Sequence, residues 1–423
     1  NTFFSNLQIP FLKKRIFFDI FTRACIIQKK VVPLRRKRSK EAMKRILFSL
    51  FCLCCLLPIG AVDYCATEAW GNAGEITGGG NATPILVSDY KALKKALTTQ
   101  TNQPKVIIVT QDIEFHKKIM SGLSDLTLLA LPGVRLFNNE TEPDNSGLLH
   151  FEGRNIILRN LTLHGAGVFN DEGKDHIWVD HCDFCDGMDE NVSVRYYADS
   201  LSFTWCRFHY SRTEGEDINH QRAILVGSNS SDIPADGSYD VTFAYCWWDE
   251  GCNQRMARTR HSVVHYLNCY WNSSISSYYL CVDDAACYAE GCTFEGEANR
   301  KNKVLTIPTD WETVNYWTFV NCEGNIPADE GVVSPPEYEY DHLMPAEAKA
   351  YVTDPTCGAG ATLVVKKSGT VFSPCQPVEE QEEDLDTVLH GTKPSKILRN
   401  REILILRGKK VYTITGQEYD AAH

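Results

Sequence analysis

IWVDHCDF, residues 177–184, sets a cysteine among β-forming residues, and that arrangement returns along the chain. It reappears as TWCRF at Cys206, AYCWW at Cys246, LNCYW at Cys269, EGCTF at Cys292 and FVNCEG at Cys322, at intervals of 24, 40, 23, 23 and 30 residues. Strand-like runs recurring at such periods indicate a solenoid, in which each coil buries a face only by stacking on its neighbours. A hairpin sandwich would show turn signals about every 8–12 residues, less than half the spacing seen. In a coil, a residue turned inward at a corner lies over its counterpart in the next coil. The spacing therefore predicts an all-β, single-stranded right-handed parallel β-helix with an internal column of cysteines behaving as small buried hydrophobes.

The rest of the chain fits that outline. Short β-rich runs follow one another: KVIIV (105–109), LTLLAL (126–131), NIILRNLTL (155–163), SLSFTWCRF (200–208), YDVTFAYCWW (239–248), SVVHYLNCYW (262–271) and YWTFVNC (316–322). One segment alone, YKALKKAL (90–97), shows helical periodicity, after Ser88 and Asp89 as candidate caps. The 43% hydrophobic and 23% charged content is that of an ordinary globular protein. KRILFSLFCLCCLLPIGA (44–61) puts two cations before an apolar run that ends on small residues, the pattern of a secretory signal peptide and not of a stable membrane span. The expected boundaries are an upstream non-native extension at 1–42, a signal peptide at 43–61, the β-helix at 62–376, an acidic linker at 377–392 and a basic β-rich tail at 393–423. The basic run PLRRKRSK (33–40) stands directly before the signal segment, so a nucleic-acid partner is not expected.

Of the 17 cysteines, 13 lie beyond residue 61, an odd number that cannot pair completely within one chain. Cys357 with Cys375, and Cys281 with Cys287, are the pairs whose spacing suggests disulfides. Metal ligation is not expected of the recurring thiols, for want of C-x-x-C pairs matched with histidines.

Several ordered motifs carry a more specific reading. NIILRNLTLHG (155–165), HIWVDHCDF (176–184), LSFTWCRF (201–208), AILVGSNSSD (223–232) and YDVTFAYCWWDEGCNQRMARTRHSVVHYLNCYW (239–271) resemble, in order and spacing, the pectate lyase superfamily, the polysaccharide lyases of family 1. The likeness spans residues 84–294, and an asparagine often stands in that family where cysteine recurs here. It implies a secreted or cell-surface bacterial enzyme, a monomer acting on an acidic polysaccharide by β-elimination. A base takes the proton beside a uronate carboxyl, that carboxyl is neutralised, and cations hold the polyanion.

By the resemblance, Arg255 is the base, while Arg222 and Arg260 bind substrate. Arg258 and Arg260 alternate along one strand and Arg255 is out of phase, so a local irregularity must decide which arginines share a face. Ala257 departs from the family's usual proline. Calcium is implied as cofactor. Asp189 falls on a ligand position, but Ser193 and Gly167 stand where two further acidic ligands are expected, leaving the set incomplete. DFCDGMDE (183–190) is dense in carboxylates that could rebuild a site. Asp180, His181 and His265 read as structural landmarks of the coil. Glycoside hydrolysis would need two carboxylates flanking the bond, and the motif series of galacturonan hydrolases is absent. Two rivals remain: a glycan-binding helix without turnover, and a calcium-independent pectin lyase with cleft aromatics among Trp247, Trp248, Trp271, Tyr278 and Tyr279. The net charge of −11 weighs little against a polyanionic partner, because the local field of the cleft decides binding. ILILRGKKVYTITGQE (403–418) resembles the C-terminal sorting tails of exported Bacteroidetes proteins.

Overall fold

A computed structural model describes residues 71–74, 76–138, 147–165, 168–170, 175–196, 198–211, 218–308, 313–375, 395–399, 402–407 and 410–413. The expected upstream extension, signal peptide and linker lie outside the described residues. Three parallel sheets, of ten, eight and eight strands, form the core. Each coil contributes one strand to each sheet. One coil runs through Asp175–Asp180, Asp183–Cys185 and Glu190–Val194; the next runs through Asp199–Thr204, Arg207–His209 and Arg222–Val226. Register is kept from coil to coil, as in the row Val179, Phe203, Phe243, Tyr266, Ala289. This is the right-handed parallel β-helix that the cysteine spacing predicts.

The corner between the first and second sheets explains the repeat. Asn160, His181, Trp205, Tyr245, Asn268 and Asn321 all have left-handed backbone, with φ between 45° and 55°, and Gly291 takes the same place at φ 61°. Left-handed geometry costs a non-glycine residue about 1 kcal/mol, so each corner needs compensation. Asn160 donates to the Ala130 carbonyl at 3.1 Å and accepts from the Leu363 amide at 2.8 Å. His181, Trp205 and Tyr245 stack on one another outside the corner, with ring centroids 5.7 and 4.6 Å apart. The left-handed turn throws the next residue inward. After Asn160 that residue is Leu161; at the other corners it is Cys182, Cys206, Cys246, Cys269 and Cys292, all at most 1% exposed, and the half-buried Cys322 at the end of the column. Each Sγ lies 3.3–3.6 Å from the carbonyl two residues earlier and from one in the preceding coil. A thiol is small enough for this corner and satisfies its weak donor there, so the column is structural.

Two residues beyond each cysteine from Cys182 to Cys292 an aromatic side chain also points inward. Phe184, Phe208, Trp248, Trp271 and Phe294 form a continuous stack with neighbouring centroids 5.2, 5.4, 4.5 and 4.4 Å apart. Trp248, Trp271 and Tyr279 are fully buried, which removes them from the candidate cleft aromatics. The expected helix is Tyr90–Thr98, capped by Asp89, whose carboxylate accepts from the Ala92 amide at 2.9 Å. It buries Leu93 and Leu97 against the first coils.

The segment after the last coil folds back over the outside. Helix Pro345–Val352 places Val352 with Ala359 against Tyr270, beside the half-buried Trp205, Tyr245 and Trp247. Cys357 and Cys375 form the expected disulfide, with Cα atoms 5.8 Å apart. The Cys281–Cys287 pair does not form: both are buried free thiols. Cys281 lies on the third sheet in register with Arg258, whereas Cys287 is in the core beneath the first sheet. The tail strands Ser395–Arg399, Glu402–Arg407 and Lys410–Thr413 pair antiparallel. Among the described residues no helix is long and apolar enough to cross a membrane.

Candidate active site

The arginines that sequence reasoning singles out stand together on the third sheet. Its strands Glu190–Val194, Arg222–Val226, Arg258–Arg260 and Leu280–Asp283 are neighbours in that order. Val192, Val194, Ile224 and Val226 point into the core. The alternate residues therefore face outward, and Ser193, Leu225, Arg258 and Cys281 form one outward row.

A bulge supplies the irregularity that Arg255 requires. Arg222 pairs with Gln254, yet Leu225 pairs with Arg258, so one strand advances three residues while its neighbour advances four. The extra residue lets Met256 and Ala257 both enter the core. Arg255 takes left-handed backbone, φ 58°, and stays on the outer side with Arg258 and Arg260. Its carbonyl still accepts from the Ile224 amide at 2.7 Å, so the bulge keeps its hydrogen bonding.

Each arginine has an acidic partner. Arg255 Nη1 donates to Glu190 Oε1, reaching across the strand of Arg222. Arg222 Nη1 donates to Asp189 Oδ1. Asp283, fully buried, accepts through Oδ2 from Arg258 Nη2 at 2.7 Å and from Arg260 Nε at 2.9 Å. Arg260 Nη1 also donates to the Gly227 carbonyl at 2.7 Å. Tyr278 lines the same place, its hydroxyl donating to Gln254 Oε1 at 2.9 Å.

The charges act on one another. Burial lowers the pKa of Arg255, against opposing effects of Tyr278 and Asp189, and the cations of Arg258 and Arg260 lower it further. Arg260 is likewise lowered by burial and by Arg258. Burial also works against the charge of Arg258, but the hydrogen bond with Asp283 together with the charges of Cys281, Asp283 and Tyr278 outweighs it and raises the pKa. A buried guanidinium crowded by two others is the setting in which an arginine loses its proton most readily.

The residues beside the arginines do not fit a calcium site. Calcium takes 6–8 hard oxygen ligands. Here Asp189 and Glu190 are each engaged by an arginine. Ser193 is buried, with its hydroxyl 3.5 Å from Glu190 Oε2. Gly167 lies outside the described residues.

Asp180 and His181 sit elsewhere, at the corner of the first sheet. Asp180 pairs with Arg159 at 2.8 Å and His181 at 2.9 Å; burial opposes its charge, but His181, Arg159 and the Thr204 hydroxyl hold its carboxyl well below the usual range. His265 is buried, its Nδ1 2.5 Å from the Tyr338 hydroxyl, and burial pushes it down to about 3. Both sites are structural. Glu190, one of the carboxylates that could have rebuilt a calcium site, instead holds Arg255, and Asp283, which the sequence did not single out, jointly holds Arg258 and Arg260. The alternation R-T-R signals a common face for the last two, but their carboxylate comes from the next coil.

No family model matches the chain. Curated relatives do: a pectate trisaccharide-lyase of Thermotoga sp. (strain RQ2) is 27% identical over 214 residues, 47% of this chain and 53% of that protein. Pectate lyase A of Emericella nidulans is 28% identical over 298 residues, 69% of this chain and 84% of that protein. The chain thus spans about half the length of the Thermotoga relatives. Among solved structures, a pectate lyase from Bacillus sp. N165 in complex with trigalacturonate superposes with a TM-score of 0.54 at 18% identity, covering 69% of this chain and 98% of that one. The cedar-pollen allergen jun a 1 superposes with a TM-score of 0.52 at 15% identity, covering 66% and 90%. At these identities the superpositions show the fold. Sequence and structure comparisons together support a likeness to the pectate lyase superfamily.

Proposed function

We propose that the chain is a polysaccharide lyase that cleaves an α-1,4-galacturonan by β-elimination, with Arg255 as the base and Arg222 and Arg260 as substrate clamps. The observation that carries this reading is the bulge that sets Arg255 beside Arg258 and Arg260 on one outward face, where burial and those two cations lower its pKa. In the reaction, the neutral guanidine of Arg255 takes the C5 proton, the electron pair forms the C4–C5 double bond, and the C4–oxygen bond breaks. The leaving oxygen then takes up a proton. The carboxylate beside C5 is neutralised by guanidinium forks, which match its geometry in two parallel hydrogen bonds.

Arg255 must leave Glu190 to act, and the uronate competes for the same donors. Each unit by which its pKa is depressed is worth about 1.4 kcal/mol, so the neighbouring cations reduce the cost of the neutral form. No step is routed through calcium, because the carboxylates at the cleft are already paired with arginines.

The test is the growth of ultraviolet absorbance from the unsaturated uronate product on polygalacturonate and on methylated pectin. Turnover that Arg255→Ala lowers at least about 10³-fold, the scale of a lost general base, supports the assignment. Affinity without turnover, from folded protein, would make it a glycan-binding helix.

A further inference from the structure

We infer that His164, Cys185 and Asp186, on the outer face of the second sheet, form a binding site for a transition-metal dication of the zinc class. The site is separate from the arginine face, which belongs to the third sheet.

The fold builds it from two adjacent coils. Phe184 points into the core, so its neighbours Asp183 and Cys185 point out. Cys185 is the register partner of His164 in the strand below and of His209 in the strand above. Cys182 and Cys185 stand three residues apart, yet Cys182 belongs to the internal column and Cys185 to the outer face. Asp186 follows with left-handed backbone, φ 60°, a turn that brings its carboxylate to the same place. One ligand atom from each of His164, Cys185 and Asp186 lies within 4.8 Å of the others, and His164 Nε2 is 3.1 Å from Asp186 Oδ2.

The donor set is the one that zinc prefers. Imidazole nitrogen, thiolate and carboxylate bind it at about 2.0–2.3 Å in a tetrahedron, which places neighbouring donors roughly 3.3–3.8 Å apart. Rotamer adjustments of about 1 Å bring the three to that spacing. Support for the carboxylate is already present: Asp186 Oδ1 accepts from the Ser211 amide at 2.7 Å and Oδ2 from the Ser211 hydroxyl at 2.5 Å. Orienting hydrogen bonds of this kind hold metal ligands in place. Near them, Asn138 is 7% exposed and its Oδ1 has no hydrogen-bond partner among the described residues; a Cβ on Gly165, the residue after His164, would stand 2.9 Å from that oxygen. The His164 side chain is 42% exposed, which gives the ion a path from solvent and leaves a fourth position for water.

Binding replaces protons by the cation. Cys185 gives up its S–H proton to solvent as the sulfur–metal bond forms, and His164 binds through Nε2 with its proton on Nδ1. Burial and the Asp186 carboxylate push the free Cys185 thiol up to about 12, so the thiol keeps its proton without a cation. A dication reverses the sign of the local field and draws the proton off.

The full-length chain, freed of metal by chelator and dialysis, is titrated with Co²⁺ and then Zn²⁺ while excess Ca²⁺ is present. The expected result is one equivalent of Co²⁺ with a thiolate-to-cobalt charge-transfer band, displaced by Zn²⁺. Cys185→Ser removes the band, and His164→Ala weakens Co²⁺ binding at least about tenfold, the loss typical of a missing ligand contact. Absence of the band at stoichiometric Co²⁺, or its survival in Cys185→Ser, overturns the assignment. If Cys185→Ser does not fold, His164→Ala at its exposed ring decides the matter: unchanged Co²⁺ affinity overturns it. Turnover on polygalacturonate is read separately, so failure of this site and failure of the lyase reading are distinct.

Discussion

Arg255 reaches across the whole width of the Arg222 strand to donate to Glu190, so the proposed base is held by a carboxylate two coils away. Glu190 is therefore a positioning residue, and it also stabilises the arginine's charged form. Glu190→Gln keeps the hydrogen bond and removes the charge. The expected outcome is a rise of kcat/KM with pH that begins at lower pH than in the wild type, with the fold unchanged by circular dichroism. An unmoved profile would strip Glu190 of this role.

In the proposed mechanism the neutral guanidine of Arg255 is the active form, and burial with Arg258 and Arg260 lowers its pKa. Activity below that pKa grows with each step toward alkali. Initial rates across the alkaline range should climb continuously, whereas a bell centred near neutrality would point to a histidine or carboxylate base instead.

In the proposed reading Arg222 is a charge-assisted clamp on the substrate, a contact worth about 1.5–3 kcal/mol. Arg222→Ala should raise KM on polygalacturonate by about 10–100-fold, with a smaller effect on kcat. A loss confined to kcat would move Arg222 into the chemistry.

Calcium titration of the free protein checks the paired carboxylates. With Asp189 held by Arg222, calorimetry should show no site tighter than about 10⁻³ M, the weak end of biological calcium sites. A saturating micromolar isotherm would show that the ion displaces the arginine.

Asp199 offers a stability test far from the arginines. Burial pushes its carboxyl up to about 6, with Asp240 and Asp236 adding to it. The folded state then binds this proton more tightly than the unfolded chain, so the contribution favours folding near pH 4 and is lost as pH rises through about 6. Asp199→Asn keeps an oxygen for the Asp240 amide, which now donates to Asp199 at 2.6 Å. The variant should melt higher than the wild type at pH 7–8 and show no gain near pH 4.

The cysteine column predicts the cost of an amide in its midst. Cys246→Asn would bury a side chain whose donors meet thiols above and below, and an unsatisfied buried polar group costs about 1–3 kcal/mol. A drop of that size in denaturant unfolding, against a near-neutral Cys246→Ala, is the expected pattern.

Much of the fold was legible because its rule is local. A left-handed corner followed by a small inward residue leaves a mark in coil after coil from Cys182 to Cys322, at sequence intervals that only stacked coils explain. The helix at Tyr90–Thr98 was legible for the same reason, through its own cap and apolar face. The site was legible in part. R-M-A-R-T-R announces three cations, but the bulge that aligns Arg255 appears only when Gln254 and Arg258 are paired with their neighbours in the previous coil. Asp283 and Glu190 become partners across coils that no local pattern connects. Cys281 and Cys287 misled because six residues along a coil pass from one sheet to another, and nearness in sequence is then no guide to distance.

The 40-residue step between Cys206 and Cys246 is nearly twice the shortest, yet both cysteines occupy equivalent corners. The additional chain leaves and rejoins the coil without disturbing the strands on either side. Loop length beside the arginine face is thus uncoupled from the architecture that carries it. Segments can be lengthened, shortened or exchanged there to reshape what the cleft accepts, while the helical pitch stays constant.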